Sequence, residues 1–349
     1  MALLTVTSAR LVAQDILIND FEGATFAPWT TTGTAFGSGP VTGAIGGQGA
    51  VTGFAGSRFA DSYNGGDAST GALTSPSFTI QRNYLRFLIG GGNQRGQTCI
   101  NLIVNGQVLR SAVGMGDRED LSALQWNVSD LVGSNVTIQV LDSYTGGWGH
   151  LNVDQIVQSN TSLTNVFTAS QHYLNLPVSY GGASHLVELV RDGLVEHEFN
   201  INLVTSGTPD YYVFLDLTTY QGKELLVRVD SQLASGGQLA ALIQSNNIIA
   251  STPIYQEALR PIYHYSARRG FVNDPNGMVY FNGEYHFAYQ HNPYGLDVGN
   301  QHWGTRSAPI WFIGKSCPRP SILIGADRLG RVRQWWTRTT RLALARMRL

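Results

Sequence analysis

The sequence has little charge, little cysteine and no long apolar run. Charged residues make up only 13% of the 349 residues, about half the share of an ordinary soluble domain. The two cysteines, Cys99 and Cys317, are too few for a disulfide framework or a cysteine zinc site. The eight histidines are scattered, so we expect no metal and no cofactor. No run of about 18 apolar residues occurs, and we therefore expect no membrane span.

Acidic residues are nearly missing from the end of the chain. Residues 1–304 contain 13 Lys and Arg and 23 Asp and Glu, whereas residues 305–349 contain 10 basic residues and a single acid, Asp327. The overall net charge of −1 therefore conceals an acidic part and a basic part. Such an abrupt switch indicates two different kinds of sequence, and the acidic part gives no reason to expect nucleic acid as a partner.

Helical periodicity is also missing before residue 304. Short alternating runs recur instead, separated by Gly, Asn, Asp and Ser, for example at residues 99–104 and 136–141. Such runs predict half-buried strands, and the pair Asn105-Gly106 predicts a hairpin turn. Strands at this spacing without intervening helices indicate an all-β protein.

The chain divides into segments of different composition. We predict a glycine-rich first unit over residues 15–158 and a second unit over 160–252. Within the second unit, strands are predicted at 186–190, 198–204, 211–217 and 225–229. The connector 251–253 leads to a third unit that starts near residue 260. Residues 1–14 end in small residues like the back half of a secretory signal but lack its basic front, so a clipped signal and an ordinary terminus both remain open.

The stretch from residue 260 to 293 carries the most chemical information. Asp274 precedes Pro275, which favours an extended backbone at Asp274. The pairs at 276–277 and 282–283 are both Asn-Gly, and each predicts a tight hairpin turn. Asp274 is then expected at a stiff corner beside a strand. On residues 273–277 alone, an ordinary turn is the better interpretation, because every residue there favours turns.

The flanking sequence changes that interpretation. Asn-Asp-Pro-Asn-Gly at 273–277, Tyr-Gln-His-Asn-Pro at 289–293 and His-Trp-Gly at 302–304 resemble the signature motifs of glycoside hydrolase family 32, in order and at the family's spacing. This family contains the β-fructofuranosidases, which are invertases, inulinases and levanases. The resemblance is strong over 260–304 and weak over the first two units. It implies that a five-bladed β-propeller starts at 260, after a jelly-roll-like β-sandwich at 15–158 and a small β domain at 160–252.

The resemblance also implies roles for individual residues. Asp274 would be the nucleophile of a retaining reaction, and Asn273 and Gln290 would hydrogen-bond the fructose hydroxyls. Phe271, which stands where the family has Trp, and Trp303 would contribute aromatic surface to the substrate site. The implied ligand is a fructan or a sucrose-type carbohydrate, and the implied location is secreted or periplasmic. Val298 stands where the family usually has Trp, which removes one flat surface for a sugar.

Two family motifs are missing after Asp274. Family members use a Glu, usually in Glu-Cys-Pro, as the general acid, and an Arg-Asp-Pro to hold the sugar. Beyond Gly304 the sequence departs from the family pattern, but residues 305–316 can be encoded by codons that, read one base out of frame, spell His-Ala-Ile-Ser-Thr-Asp-Leu-Val-His-Trp-Glu-Glu. Residues 332–344 regroup in the same way. We therefore interpret 305–349 as an out-of-frame tail without selected packing, and we expect this chain alone to be inactive. A basic arm for nucleic acid and a solvated tail are the alternatives.

A function without catalysis is a second hypothesis. The unit at 15–158 is a candidate carbohydrate-binding module, in which Trp29, Tyr63 or Trp148 could stack on sugar rings, although a role in the core is the more usual one for such residues. We interpret the second unit as a structural spacer. His286 and His291 are expected to pack in the hairpin around Gln290 rather than bind metal.

Overall fold

The computed structural model describes residues 14–204, 207–230, 242–249, 255–261, 265–282 and 284–308. Residues 1–13, the connector 251–253 and the tail from residue 309 onward, with Cys317, lie outside the described residues. The described part contains 21 β-strands and two short 3-10 helices, Ser129–Leu131 and Thr218–Tyr220. The predicted all-β class is confirmed. None of the described helices is long and apolar enough to cross a membrane.

The chain forms two compact units, the first built mainly from residues up to 167 and the second mainly from the residues that follow. Eleven strands of the first unit precede residue 160. They are β1 (Ile16–Asn19), β2 (Thr30–Gly33), β3 (Ala60–Asp61), β4 (Gly71–Thr74), β5 (Phe78–Thr79), β6 (Tyr84–Gly91), β7 (Thr98–Val104), β8 (Gln107–Ala112), β9 (Arg118–Asn127), β10 (Asn135–Asp142) and β11 (Leu151–Ser159).

These strands make two antiparallel sheets. One has the order β1-β11-β6-β9 with β3 on β11, and the other has the order β2-β4-β10-β7-β8 with β5 on β10. Strand β10 alternates between buried and less buried residues along its length, which is the period-two pattern that predicted it. The turn between β7 and β8 has positive φ angles at Asn105 and Gly106, so the predicted hairpin is confirmed. That these sheets form a jelly-roll-like sandwich remains a prediction.

The core of the first unit is aromatic. Phe21, Phe59 and Trp126 are each at most 1% exposed, and Trp29 is 6% exposed with its ring against Phe21 at 5.5 Å. Trp29 is therefore a core residue and cannot stack on a sugar. Tyr63 and Trp148, the other two candidates, keep part of their surface exposed.

The next seven strands cover residues 166–245. They are β12 (Val166–Thr168), β13 (Tyr173–Val178), β14 (His185–Arg191), β15 (Leu194–Ile201), β16 (Tyr211–Asp216), β17 (Glu224–Val229) and β18 (Ile243–Ser245). Their sheets have the orders β12-β17-β14-β15 and β16-β13-β18. Three of the four strands predicted here are confirmed. The one predicted at 198–204 is displaced, because β15 begins directly after the turn at Asp192-Gly193, where both φ angles are positive.

The last described sheet carries the sequence motifs. It is antiparallel, with the order β19 (Phe271–Phe281), β20 (Glu284–Asn292) and β21 (His302–Ala308). Strand β21 continues four residues past Gly304 and pairs through Ala308 with Tyr285; backbone pairing of this kind needs no particular side chains. A propeller that begins with this sheet remains a prediction.

Candidate functional site

The motif residues 273–277 lie in an irregular part of β19. The predicted turn at 276–277 is wrong, because residues on both sides of it pair with the same strand, β20. The register shifts twice, once between Val272 and Pro275 and once between Pro275 and Gly277. Each shift inserts an extra residue into β19, as β-bulges do, and such bulges are common beside active sites. Pro275 fits here because a proline in a sheet is tolerated at a bulge.

The first bulge brings together three of the predicted site residues. Val272 pairs with His291 and Pro275 with Tyr289, so Asn273 and Asp274 together lie opposite Gln290. Asn273 Nδ2 donates a hydrogen bond of 2.9 Å to Gln290 Oε1. The motifs 273–277 and 289–293 thus lie side by side in the structure, whereas the roles of these residues in binding stay predictions.

The two aromatic site residues lie on the same sheet. Trp303 on β21 is the direct partner of Gln290, and directly opposed residues present their side chains on the same face. Phe271 pairs with Asn292, which shares a face with Gln290 because residues two apart in a strand point the same way. Phe271 and Trp303 are both half-buried. One face of the sheet therefore carries an amide between two aromatic side chains.

Asp274 is exposed, and the other carboxylate of the hairpin lies far from it. Glu284, the acid that begins β20, pairs with Phe281 at the opposite end. It lies five residues from Tyr289, which is roughly 17 Å along an extended strand. A retaining glycosidase needs its two carboxyl groups about 5–5.5 Å apart. Glu284 therefore cannot act as the acid partner of Asp274.

Tyr289 fixes how β20 and β21 pack. Its ring is buried and lies directly over its pairing partner Gly304, where a Cβ atom would come within 2.1 Å of the ring. Its hydroxyl also forms a hydrogen bond with the Tyr265 hydroxyl. Close packing against the Tyr289 ring thus requires glycine at position 304. This contact explains the glycine of the third motif on structural grounds.

Sequence reasoning missed Arg269, which holds the start of β19. Its guanidinium donates to the carbonyl oxygens of Tyr212 at 2.6 Å and Ile249 at 2.9 Å. The hydrogen bond between His291 Nε2 and the carbonyl of Arg269 is 2.7 Å long. Burial lowers the pKa of both Arg269 and His291. His291 thus packs in the hairpin, as expected. Contacts to backbone carbonyls leave no residue-type signal, so the sequence could not reveal Arg269.

Comparison with known proteins shows which family the site segment is similar to. Residues 264–308 match the profile described as Glycosyl hydrolases family 32 N-terminal domain. This segment contains the bulge and both strands that pair with it. Over this segment the chain is similar to glycoside hydrolase family 32.

Three similar proteins illustrate the extent of the likeness. The chain is 44% identical over 153 residues to a protein of Aspergillus rugulosus named as a glycosyl hydrolase, ecdE, covering 43% of this chain and 22% of that protein. It is 53% identical over 55 residues to the levanase of Bacillus subtilis (strain 168), covering 16% and 8%. It is 46% identical over 50 residues to an extracellular exo-inulinase of Aspergillus niger, covering 14% and 9%. The chain thus spans about a fifth or less of the length of these relatives.

The family 32-like hairpin ends in an exposed apolar surface. Met278, Val279 and Tyr280 are consecutive in β19, and each is about half exposed. Consecutive residues of a strand point to opposite faces, so both faces of the sheet are open at this end. The Tyr280 ring lies 4.8 Å from the ring of its strand partner Tyr285. Val298, at the position where the family usually has Trp, is 66% exposed.

Proposed function

We propose that this chain is part of a fructan-degrading glycoside hydrolase that cleaves β-fructosidic bonds with retention of configuration. The observation that carries the proposal is the bulge in β19, which sets Asn273 and Asp274 opposite Gln290 inside the segment that matches family 32. The names levanase and exo-inulinase among the relatives support fructose polymers as the substrate class. The name of the extracellular relative supports export from the cell.

In this proposal the Asp274 carboxylate attacks the anomeric carbon of a fructosyl unit and displaces the rest of the fructan. The ester that forms between Asp274 and the fructosyl unit is then hydrolysed by water. An exposed carboxylate in a bulge is free to approach that carbon. After the hydrogen bond between Asn273 and Gln290, one side-chain N–H group of Asn273, both of Gln290 and further acceptor capacity remain for the sugar hydroxyls. Phe271 and Trp303 provide the apolar faces against which a sugar ring can pack.

The proposal includes the inactivity of this chain by itself. The leaving oxygen needs a proton in the transition state, and neither of the family's further carboxylate motifs follows Asp274 in the sequence. We expect the purified chain to release no fructose from sucrose, inulin or levan. A gene with one base restored at the codon for Gly304 should encode the missing motifs and yield an active hydrolase.

Activity assays of the unmodified chain and of the frame-restored protein together test the proposal. Hydrolysis of sucrose, inulin or levan by the unmodified chain would contradict the claim that this chain lacks the general acid. A frame-restored protein that cleaves glucosides but not fructosides would contradict the substrate class. If the second reading frame contains neither Arg-Asp-Pro nor Glu-Cys-Pro, the out-of-frame interpretation of 305–349 fails.

A carbohydrate-binding role for residues 15–158 is the second candidate, and one observation favours it. The rings of Tyr63 and Trp148, both partly exposed, flank buried His150 at 4.8 Å and 5.5 Å. Pull-down of the full chain on insoluble levan tests this role. Trp148→Ala should abolish retention, whereas Leu109→Ala, at an exposed site on β8, should not. Equal retention of both variants would contradict the role.

A further inference from the structure

A cavity of about 370 Å³ lies in the second unit, away from Asp274 and Gln290. One wall is the loop 292–300, which follows β20, and the other is formed by the ends of β13, β15 and β16. This volume falls within the range of small-ligand pockets, which is about 300–1,000 Å³. Asp274, Asn273 and Gln290 do not line the cavity, whereas Val298, at the position of a family Trp, does, so the cavity is distinct from these three candidate active-site residues.

The loop wall is held in place by two asparagines. Asn292 Oδ1 accepts hydrogen bonds from the Tyr294 amide at 3.0 Å and from Asn300 Nδ2 at 3.1 Å. Asn300 also bonds both backbone groups of Asn200, accepting from the amide at 2.6 Å and donating to the carbonyl at 2.7 Å. Because the Asn300 side chain ties the main chain of Asn200 to the side chain of Asn292, the loop is preorganised rather than free to collapse into the cavity.

Tyrosine rings provide the apolar surface of the cavity. Tyr294 is 6% exposed, and its ring stacks on Phe199 with centroids 4.1 Å apart. Tyr180 is 61% exposed, and its ring leans on Tyr211 at 5.2 Å. The Tyr180 amide is fixed by a 2.6 Å hydrogen bond to Asp210. The cavity thus has a rigid aromatic side and one aromatic face that is open to a ligand.

The remaining lining is polar and almost uncharged. Among the described residues that line the cavity there is no Lys, Arg or His, and Asp297 is the only acidic residue. Hydroxyl and amide side chains of Ser184, Asn200 and Asn202 face it and are at least partly exposed. Such groups donate and accept hydrogen bonds equally well. A neutral ligand with many hydroxyl groups suits this lining, whereas a phosphate or carboxylate ligand would find no cation.

The cavity is also connected to the candidate active site through β20. Asn292, at its edge, follows Gln290 by two residues and lies on the same face of the strand, roughly 7 Å further along. We propose that this cavity is an accessory site that holds one or two fructosyl units of the same fructan chain whose end reaches Asp274. This assignment rests on the proposed function for its choice of sugar.

Calorimetric titration of the full chain with a linear trisaccharide of β-linked fructose tests the proposal. We expect saturable binding, a roughly tenfold weaker affinity in Tyr180→Ala, and a smaller loss in Asn202→Ala, which removes no ring. The matched control is Tyr280→Ala, an exposed tyrosine outside the cavity, which should bind within twofold of the unmodified chain. Circular dichroism checks that each variant is folded. If Tyr180→Ala does not fold, the weaker binding expected of Asn202→Ala still tests the proposal.

The variant Asp274→Asn separates this proposal from the proposed function. Unchanged binding in Asp274→Asn together with weakened binding in Tyr180→Ala supports the accessory site. Binding that is lost in Asp274→Asn but kept in both cavity variants would place the sugar at the candidate active site, and would overturn the accessory site while leaving the proposed function intact. Absence of saturable binding by the unmodified chain also overturns it.

Discussion

Asp142, at the end of β10, offers a test of how burial controls the stability of the first unit. Asp142 is 1% exposed. Within the described residues, neither of its carboxylate oxygens has a hydrogen-bonding partner of good geometry. Burial raises the pKa of Asp142 to about 7, and the nearby Ser62 hydroxyl and Tyr144 amide offset only part of that effect. The ordinary value is 3.8.

The sign of the pH dependence follows from this shift. The folded protein keeps the Asp142 proton up to about pH 7, whereas the unfolded chain loses it near the ordinary value. The folded state therefore binds more protons between these limits, and its free energy of unfolding falls as pH rises through this interval. About three pKa units correspond to roughly 4 kcal/mol at most, and we expect a cost of about 2–4 kcal/mol at pH 8.

The substitution Asp142→Asn removes the titrating group at nearly constant shape. We expect the variant to be about 2–4 kcal/mol more stable than the unmodified chain at pH 8 and only about 1 kcal/mol more stable at pH 4.5, because the unfolded chain begins to ionise near pH 3.8. Urea unfolding followed by tryptophan fluorescence measures both values. Asp216→Asn, at an exposed acid, is the control. A loss of stability in Asp142→Asn at both pH values, or an unchanged difference between them, would refute the reasoning.

The remaining predictions concern three other positions. Gly304→Ala should destabilise the sheet β19-β20-β21, because its Cβ atom would collide with the Tyr289 ring; faster hydrogen exchange of the β20 amides is the readout, and unchanged exchange would argue against the close contact. Cys99 is fully buried, and burial raises the pKa of its thiol, so a thiol reagent should label it only after unfolding, as peptide mass spectrometry can show. His150 should remain protonated above pH 6.5: burial lowers its pKa, but hydrogen bonds to Glu119 and Asp67 outweigh burial and raise it. Its contribution to stability is then complete below pH 6.5 and is lost as pH rises through the folded-state pKa, which the C2 proton shift in NMR should follow.

Local sequence predicted much of the fold because strand alternation and Asn-Gly turns are short-range signals. The hairpin at Asn105-Gly106 is present, and the pair at 282–283 separates the partners Phe281 and Glu284 with Asn282 at a φ of 57°. The same dipeptide at 276–277 makes no turn, because residues on both sides pair with β20. That pairing depends on a strand eight residues later in the chain, and no local propensity reveals it.

The candidate site was predictable only where it consists of side chains in a motif. The motifs marked Asn273 and Gln290 as candidate site residues, whereas the hydrogen bond between them was not predicted. Arg269 and Asn300, by contrast, act on the backbone of residues that are distant in sequence, and any residue type supplies a carbonyl. The polar cavity beside the loop 292–300 depends on such contacts and could not be inferred from sequence.

The central claim is that Asp274 is the nucleophile, and the frame-restored protein tests it most directly. Turnover of inulin and levan should fall by about 10³-fold or more in Asp274→Ala, and external azide should restore part of it by attacking the fructosyl unit in the space of the missing carboxylate. Glu284→Gln, at a carboxylate of the same hairpin, should retain activity. An Asp274→Ala protein as active as the unmodified one would contradict the claim.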